Sequence, residues 1–123
     1  MTGGKILIVE DDNSVAGILK LTLERERYVV VRASDGYEAL YKYVKEKPSM
    51  IILDVMLPGF DGYEVCREIR RGMHDYITPI IMTTGMCEDY DRIKGRVVGA
   101  TQYLTKPFKM EKLLDEIRNL LLA

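Results

Sequence analysis

Met50-Ile51-Ile52-Leu53-Asp54-Val55-Met56-Leu57-Pro58-Gly59-Phe60-Asp61-Gly62 runs from an unbroken apolar stretch into an acidic residue and then into a Pro- and Gly-rich turn. A strand with one wet face alternates apolar and polar residues; this one does not, so it reads as a strand covered on both faces, the signature of a parallel sheet between helices. Ile6-Leu7-Ile8-Val9 has the same character and ends in the same way, on Glu10-Asp11-Asp12. Ile80-Ile81-Met82 is a third such run, followed by Thr83-Thr84. Weaker strands are expected at Tyr28 to Ala33 and Gln102 to Leu104.

Helical patterns lie between these runs. Val15, Ile18, Leu19 and Thr22 share one face of a first helix. Asp35 followed by Glu38, and Asp61 followed by Glu64, have capping-box spacing and open a second and a third helix, the third closed by Gly72. A fourth, Glu88 to Val98, has a thin apolar face interrupted by Gly95, and a thinly anchored helix is one that can move. Met110, Leu113, Leu114, Ile117, Leu120 and Leu121 give the last helix a continuous stripe. Five strands alternating with five helices predict an α/β fold with right-handed crossovers, a single domain over residues 1–123. The last helix ends the sequence, so these residues are expected to carry no output domain.

Hydrophobic residues make up 47% and charged residues 30%, the balance of a globular chain, and a net charge of −1 with intermixed signs favours neither nucleic acid nor an anionic membrane surface. No apolar run approaches the roughly 20 residues of a membrane span, and the four residues between Lys5 and Glu10 are too few for a signal peptide core. Cys66 and Cys87 have neither metal-ligand nor disulfide-framework spacing, which points to a reduced, cytoplasmic setting. His74 stands alone in a polar loop, and Cys66 reads as a buried structural thiol.

Ligands of an open parallel sheet sit beyond the carboxyl ends of its strands. Glu10, Asp11 and Asp54 all fall there and converge if the first and third strands are neighbours. Like charges oppose one another's ionisation, so a convergence of carboxylates calls for a cation, and hard oxygen donors without His or Cys suit Mg²⁺ (or Mn²⁺). Asp54, before an exposed turn, is the candidate nucleophile. Thr83 or Thr84 offers a hydroxyl and Lys106 an ammonium on the same rim. Each feature has an ordinary explanation taken singly: an acidic residue caps a helix, an Asp starts a turn, a Lys is solvated. Four successive strand ends carrying carboxylate, hydroxyl and ammonium together describe a site for a phosphoryl group.

The chain resembles the receiver domain of two-component response regulators over essentially its whole length. The matching segments are Lys5-Ile-Leu-Ile-Val-Glu-Asp-Asp12, Ile51-Ile-Leu-Asp-Val-Met-Leu-Pro-Gly-Phe-Asp-Gly62, Pro79-Ile-Ile-Met-Thr-Thr-Gly85 and Gly99-Ala-Thr-Gln-Tyr-Leu-Thr-Lys-Pro-Phe108. The resemblance implies a flavodoxin-like doubly wound five-stranded sheet in the order 2-1-3-4-5. It implies that Asp54 accepts a phosphoryl group from a sensor histidine kinase or phosphotransfer protein. Asp11, Glu10, Asp54 and the Met56 backbone carbonyl would hold the metal, with Asp12 left as a helix cap. Thr84 would be the switch hydroxyl, Lys106 the cation beside a cis peptide to Pro107, and Tyr103 the aromatic that turns inward. The readout face would be the fourth helix, fifth strand and last helix, meeting a downstream effector.

Thr101-Gln102 stands where dimerising, DNA-binding regulators commonly carry an acidic pair, so a monomer or a weak phosphorylation-dependent dimer is expected. Lys109 stands at the cap of the last helix, where Ser or Asp is more usual, and Met56 and Met86 stand at positions that tune phosphoryl lifetime in the family. A flavin module would need a Gly- and hydroxyl-rich loop where Glu10-Asp11-Asp12 stands, and an aspartate-nucleophile phosphatase would need a second Asp where Met56 stands. The alternative kept open is a phosphorylation-independent interaction adaptor. Apart from transferring and losing its own phosphoryl group, the chain is expected to be no enzyme.

Overall fold

In the computed structural model, which describes residues 4–85 and 88–122, five parallel strands stand in the order β2-β1-β3-β4-β5. They are β1 (Lys5–Val9), β2 (Val29–Ala33), β3 (Met50–Asp54), β4 (Ile80–Thr84) and β5 (Gln102–Thr105). The helices are α1 (Asn13–Arg25), α2 (Gly36–Glu46), α3 (Gly62–Arg67), α4 (Asp89–Val98) and α5 (Met110–Leu122). Met86 and Cys87 lie outside the described residues. No described helix is long and apolar enough to cross a membrane.

The unalternated apolar runs behave as expected, because the pleat sends successive side chains to opposite faces and both faces are covered. Leu7, Val9, Ile51, Leu53, Ile80 and Met82 meet Ala39, Val65, Cys66, Ile69 and Val98 on the side of α2, α3 and α4. Ile6, Ile8, Met50, Ile52, Ile81 and Leu104 meet Leu19, Leu23, Leu113 and Ile117 on the side of α1 and α5. Each fully buried Leu or Ile contributes about 1.5–3 kcal/mol, which is why these strands dominate the architecture.

Three helix starts are set by aspartates. Asp12 accepts from the amides of Ser14 and Val15 at 2.8 and 3.1 Å. Asp61 and Glu64 form a complete capping box. Asp35 accepts from the Glu38 amide at 2.8 Å, but the Glu38 carboxylate turns to the Ser34 amide at 2.6 Å, one residue beyond the reciprocal partner. Lys109 has no acceptor in its side chain, and only its carbonyl is used, by the amides of Lys112 and Leu113. The inward stripe of α1 is Ala16, Leu19 and Leu23, while Ile18 is 58% exposed. The third helix changes character before Gly72: Glu68–Gly72 is a π-helical turn. There Arg70 is buried and donates to the carbonyls of Gly99 and Asp75, both at 2.9 Å.

The loop after β3 is fixed by close backbone packing. The Gly62 amide donates to the Val55 carbonyl at 2.9 Å, and a Cβ at Gly62 would collide with the Asp54 carbonyl oxygen and come within 2.8 Å of Val55 Cα. Gly17, on the exposed face of α1, has nothing within 4 Å of such a Cβ. Gly62→Ala is therefore expected to cost about 3 kcal/mol or more, and Gly17→Ala to stabilise by about 0.5–1 kcal/mol. Urea unfolding of the two variants checks this, and a Gly62→Ala protein as stable as the wild type would contradict the packing.

Candidate functional site at the carboxyl rim of the sheet

β1 and β3 are neighbours, with Val9 paired to Leu53. Their next residues, Glu10 and Asp54, therefore emerge side by side on the carboxyl rim. Glu10 is 3% and Asp54 5% exposed, whereas Asp11 is open to solvent. One carboxylate oxygen from each of Glu10, Asp11 and Asp54 lies within 4.8 Å of the others. The Lys106 ammonium, from the segment after β5, donates to Glu10 Oε1 at 3.0 Å and stands 3.6 Å from Asp54 Oδ2. The Met56 amide donates to Asp54 Oδ1 at 3.3 Å, while its side chain is 63% exposed. Arg32 fixes the backbone of the acidic loop, donating to the Glu10 carbonyl from Nε at 3.1 Å and from Nη2 at 2.7 Å.

Burial raises the Asp54 carboxyl to about 6, aided by the charge of Glu10 and opposed by Lys106 and the Met56 amide. Burial works against the Lys106 ammonium, but Glu10 and Asp54 outweigh it and hold the group above the usual lysine range. Three carboxylates thus face one ammonium across a partly buried rim, an arrangement that a divalent cation relieves. The donor set is all oxygen, the chemistry that Mg²⁺ and Mn²⁺ select.

The remaining sequence candidates fall on the neighbouring strands. Thr83 pairs with Asp54 in the β3–β4 register, and Thr84, fully buried, is the next residue of β4. The Thr84 carbonyl accepts from the Lys106 amide at 2.6 Å, tying the two segments together. The Lys106–Pro107 peptide is cis. Tyr103 pairs with Met82 in the β4–β5 register, away from the acidic group, and its ring turns inward against the core on the α4 side.

Residues 6–118 match the family model for the response regulator receiver domain. This chain belongs to that family. PhoP, the alkaline phosphatase synthesis transcriptional regulatory protein of Bacillus subtilis (strain 168), is 44% identical over 117 residues, 95% of this receiver domain and 48% of its own length. The structure of chemotaxis protein CheY4 of Vibrio cholerae superposes with a TM-score of 0.90 at 36% identity, covering 98% of this chain and 100% of that one. The receiver domain of sensor histidine kinase PA1611 from Pseudomonas aeruginosa PAO1, with a magnesium ion in its active-site cleft, gives a TM-score of 0.89 at 30% identity, covering 99% and 100%. The chain spans about half the length of the curated relatives it matches.

Three residues of this receiver domain were not singled out from sequence. Arg32 and Arg70 look like ordinary surface cations until their carbonyl partners, distant in sequence, are known. Tyr63 is a first-turn residue of α3 whose hydroxyl reaches both α4 and Tyr103. Cys66 is buried and donates to the Val98 carbonyl at 3.3 Å, with burial pushing its thiol up to about 11, in keeping with a structural role.

The raised Asp54 carboxyl fixes a stability profile in metal-free solution. The folded state holds this proton more tightly than the unfolded chain, where the group titrates near 4, so stability falls as pH rises from about 4 to about 6. Asp54→Asn removes the charge and is expected to be about 1–2 kcal/mol more stable than the wild type near pH 7 with a chelator present. The gap should close near pH 4 and shrink near pH 7 when Mg²⁺ is added. Denaturant unfolding at both pH values checks it; a wild type equal to the variant in chelator near pH 7 would contradict the charge balance described here.

Proposed function

We propose that residues 1–123 act as one phospho-accepting switch of a two-component pathway. The observation that carries this reading is the meeting of Glu10, Asp11 and Asp54 oxygens within 4.8 Å, with the Lys106 ammonium 3.6 Å from Asp54. An Asp54 carboxylate oxygen attacks the phosphorus of a phosphohistidine on a sensor kinase or phosphotransfer protein. The P–N bond breaks, its electron pair returns to the imidazole nitrogen, and an acyl phosphate forms on Asp54. Lys106 faces the incoming oxygens, and the Thr84 hydroxyl takes one of them once the group is attached. Glu10, Asp11, Asp54 and the Met56 carbonyl would hold Mg²⁺ or Mn²⁺, which when bound offsets the charge of the carboxylates and of the transferred group.

The donor protein must reach Asp54, and a groove beside it is suited to that. Val15, Ile18, Leu19, Pro107, Phe108 and Met110 line about 430 Å³ whose rim includes Lys106. Exposed Ile18, outside the inward stripe of α1, and half-buried Val15, which packs on the core and also lines the groove, are accounted for as donor contacts. Readout passes to the Thr84 loop, α4 and the Tyr103 face, where a downstream effector or a fused output domain binds one arrangement better than the other. With Thr101 and Gln102 at the start of β5 the domain acts as a monomer or a weak phosphorylation-dependent dimer in the cytoplasm, binding neither nucleic acid nor membrane by itself.

Intact mass after incubation with acetyl phosphate and Mg²⁺ tests the reading. The wild type is expected to gain one phosphoryl group, and Asp54→Asn, or wild type in chelator, to gain none. Folded wild type that stays unmodified by a donor active on another receiver would overturn it in favour of a phosphorylation-independent adaptor.

A further inference from the structure

Helix α4 buries only Gly95 and Val98 of its own residues, so its position depends on what neighbouring elements bring to it. Much of that comes from two tyrosines. The Tyr63 hydroxyl, on a side chain 4% exposed, lies 3.2 Å from the Asp91 carbonyl oxygen of α4 and 3.2 Å from the Tyr103 hydroxyl of β5. Lys94 stands 4.6 Å from the centroid of the Tyr63 ring and Arg92 5.4 Å from that of Tyr103. The Tyr103 ring fills the space that a side chain at residue 95 would need: a Cβ on Gly95 would lie 2.8 Å from Cδ2 of the ring.

We propose that the Tyr63 hydroxyl is a positioning group that holds Tyr103 turned inward beneath α4 and thereby sets how readily a charge at Asp54 is transmitted to the α4–β5 face. The second half of this statement rests on the function proposed above. An aromatic on an edge strand has staggered alternatives, one of which leaves its hydroxyl in water. Turning inward costs that water bond unless the protein replaces it. Met82 and the bare Gly95 pack against the ring, Arg92 lies over it, and the Tyr63 hydroxyl comes within 3.2 Å of the Tyr103 hydroxyl. A phenol carries one proton and two lone pairs, so Tyr63 can donate to Asp91 and still accept from Tyr103. Phe or Leu at residue 63 would pack on α4 without doing either.

The same side chain is placed by the loop that carries Asp54. Its neighbour Gly62 is wedged against the Asp54 and Val55 backbone, with its amide bonded to the Val55 carbonyl at 2.9 Å. A displacement at Asp54 therefore reaches Tyr63 through rigid backbone, and Tyr63 bears on both moving parts of the readout face. If inward Tyr103 favours a charged group at Asp54, removing the hydroxyl weakens both to the same extent, because coupling between sites is reciprocal.

Tyr63→Phe keeps the ring and its stacking beneath Lys94 and deletes only the hydroxyl. In Mg²⁺ alone, nuclear Overhauser effects between the Tyr103 ring and the Gly95 α-protons are expected to be strong in the wild type and weakened in Tyr63→Phe. With beryllofluoride as phosphoryl mimic, the half-saturating concentration is expected to rise about three- to tenfold in Tyr63→Phe, the scale of one hydrogen bond. In a Tyr103→Phe background the same substitution should change it little, which a merely structural role for Tyr63 would not produce. Undiminished Overhauser effects in Tyr63→Phe, or an equal effect of the substitution in both backgrounds, overturns the proposal. A wild type indifferent to beryllofluoride, with the Tyr103 ring nonetheless released from Gly95 in Tyr63→Phe, keeps the hold on Tyr103 and sinks the phospho-acceptor reading together with the transmission. Should Tyr63→Phe not fold, hydroxyl-proton exchange in the wild type decides: slow exchange at Tyr63 and Tyr103 supports the pair, and fast exchange at both overturns it.

Discussion

Mutual repulsion among Glu10, Asp11 and Asp54, met by a single ammonium from Lys106, is the constraint around which this molecule is arranged. Left to themselves the side chains would move apart or take up protons. Asp54 holds a proton more readily than usual, but the groups cannot move apart, because two of them stand on strand ends whose preceding residues are fully buried. The hydrophobic energy of β1 and β3 is thus used to hold charge in place, and the site is poised toward a cation that relieves it. Arg32 and the Asp12 cap serve the same end from the backbone side, fixing the loop that carries Glu10 and Asp11 without neutralising their side chains.

The sheet divides the work between its two sides. On the α1 and α5 side the core runs up to a groove of Val15, Ile18 and Phe108 that opens next to Lys106. On the other side α3 and α4 meet through Tyr63, Tyr103 and Gly95. Asp54 belongs to the strand between them, so the groove and the tyrosine cluster are separate surfaces on opposite faces of the sheet that carries it.

The strands were legible because two-sided burial leaves so plain a mark: Ile6 to Val9, Met50 to Leu53 and Ile80 to Met82 have no polar interruption, and each ends on a residue of the rim; their order came only through the family resemblance. The acidic group was legible on one condition, that the first and third strands are neighbours, and they are. The face of α1 was misjudged at Ile18. Val15 packs on the core beside Leu19 as expected, but Ile18 is as apolar as either, and nothing in local sequence says that it stays exposed while Ala16 and Leu23 fill the core. The capping signal at Asp35 was half right, because a Glu at that spacing can reach the Ser34 amide as easily as the cap amide. Arg70 and the π-helical turn that carries it were not legible, since the carbonyls that justify burying a guanidinium come from Asp75 and Gly99 across the fold. Tyr63 needed the placement of α3 against α4 and β5 before its hydroxyl meant anything.

That buried guanidinium has a mechanical consequence. Gly99, at the carboxyl end of α4, is tethered through its carbonyl to Arg70 and adopts φ of +102°, a backbone state few other residues would accept. At the opposite end Glu88 contributes no side-chain capping bond. A rod fixed at one tip swings about it, and over the 10 residues of α4, about 15 Å at the usual helical rise, the displacement from a tilt at Gly99 is largest at Glu88 and is checked on the way by the Tyr63–Asp91 and Arg92–Thr105 bonds. The far tip of this lever is the end of α4 that follows the rim residue Thr84 along the chain, so leverage is greatest there.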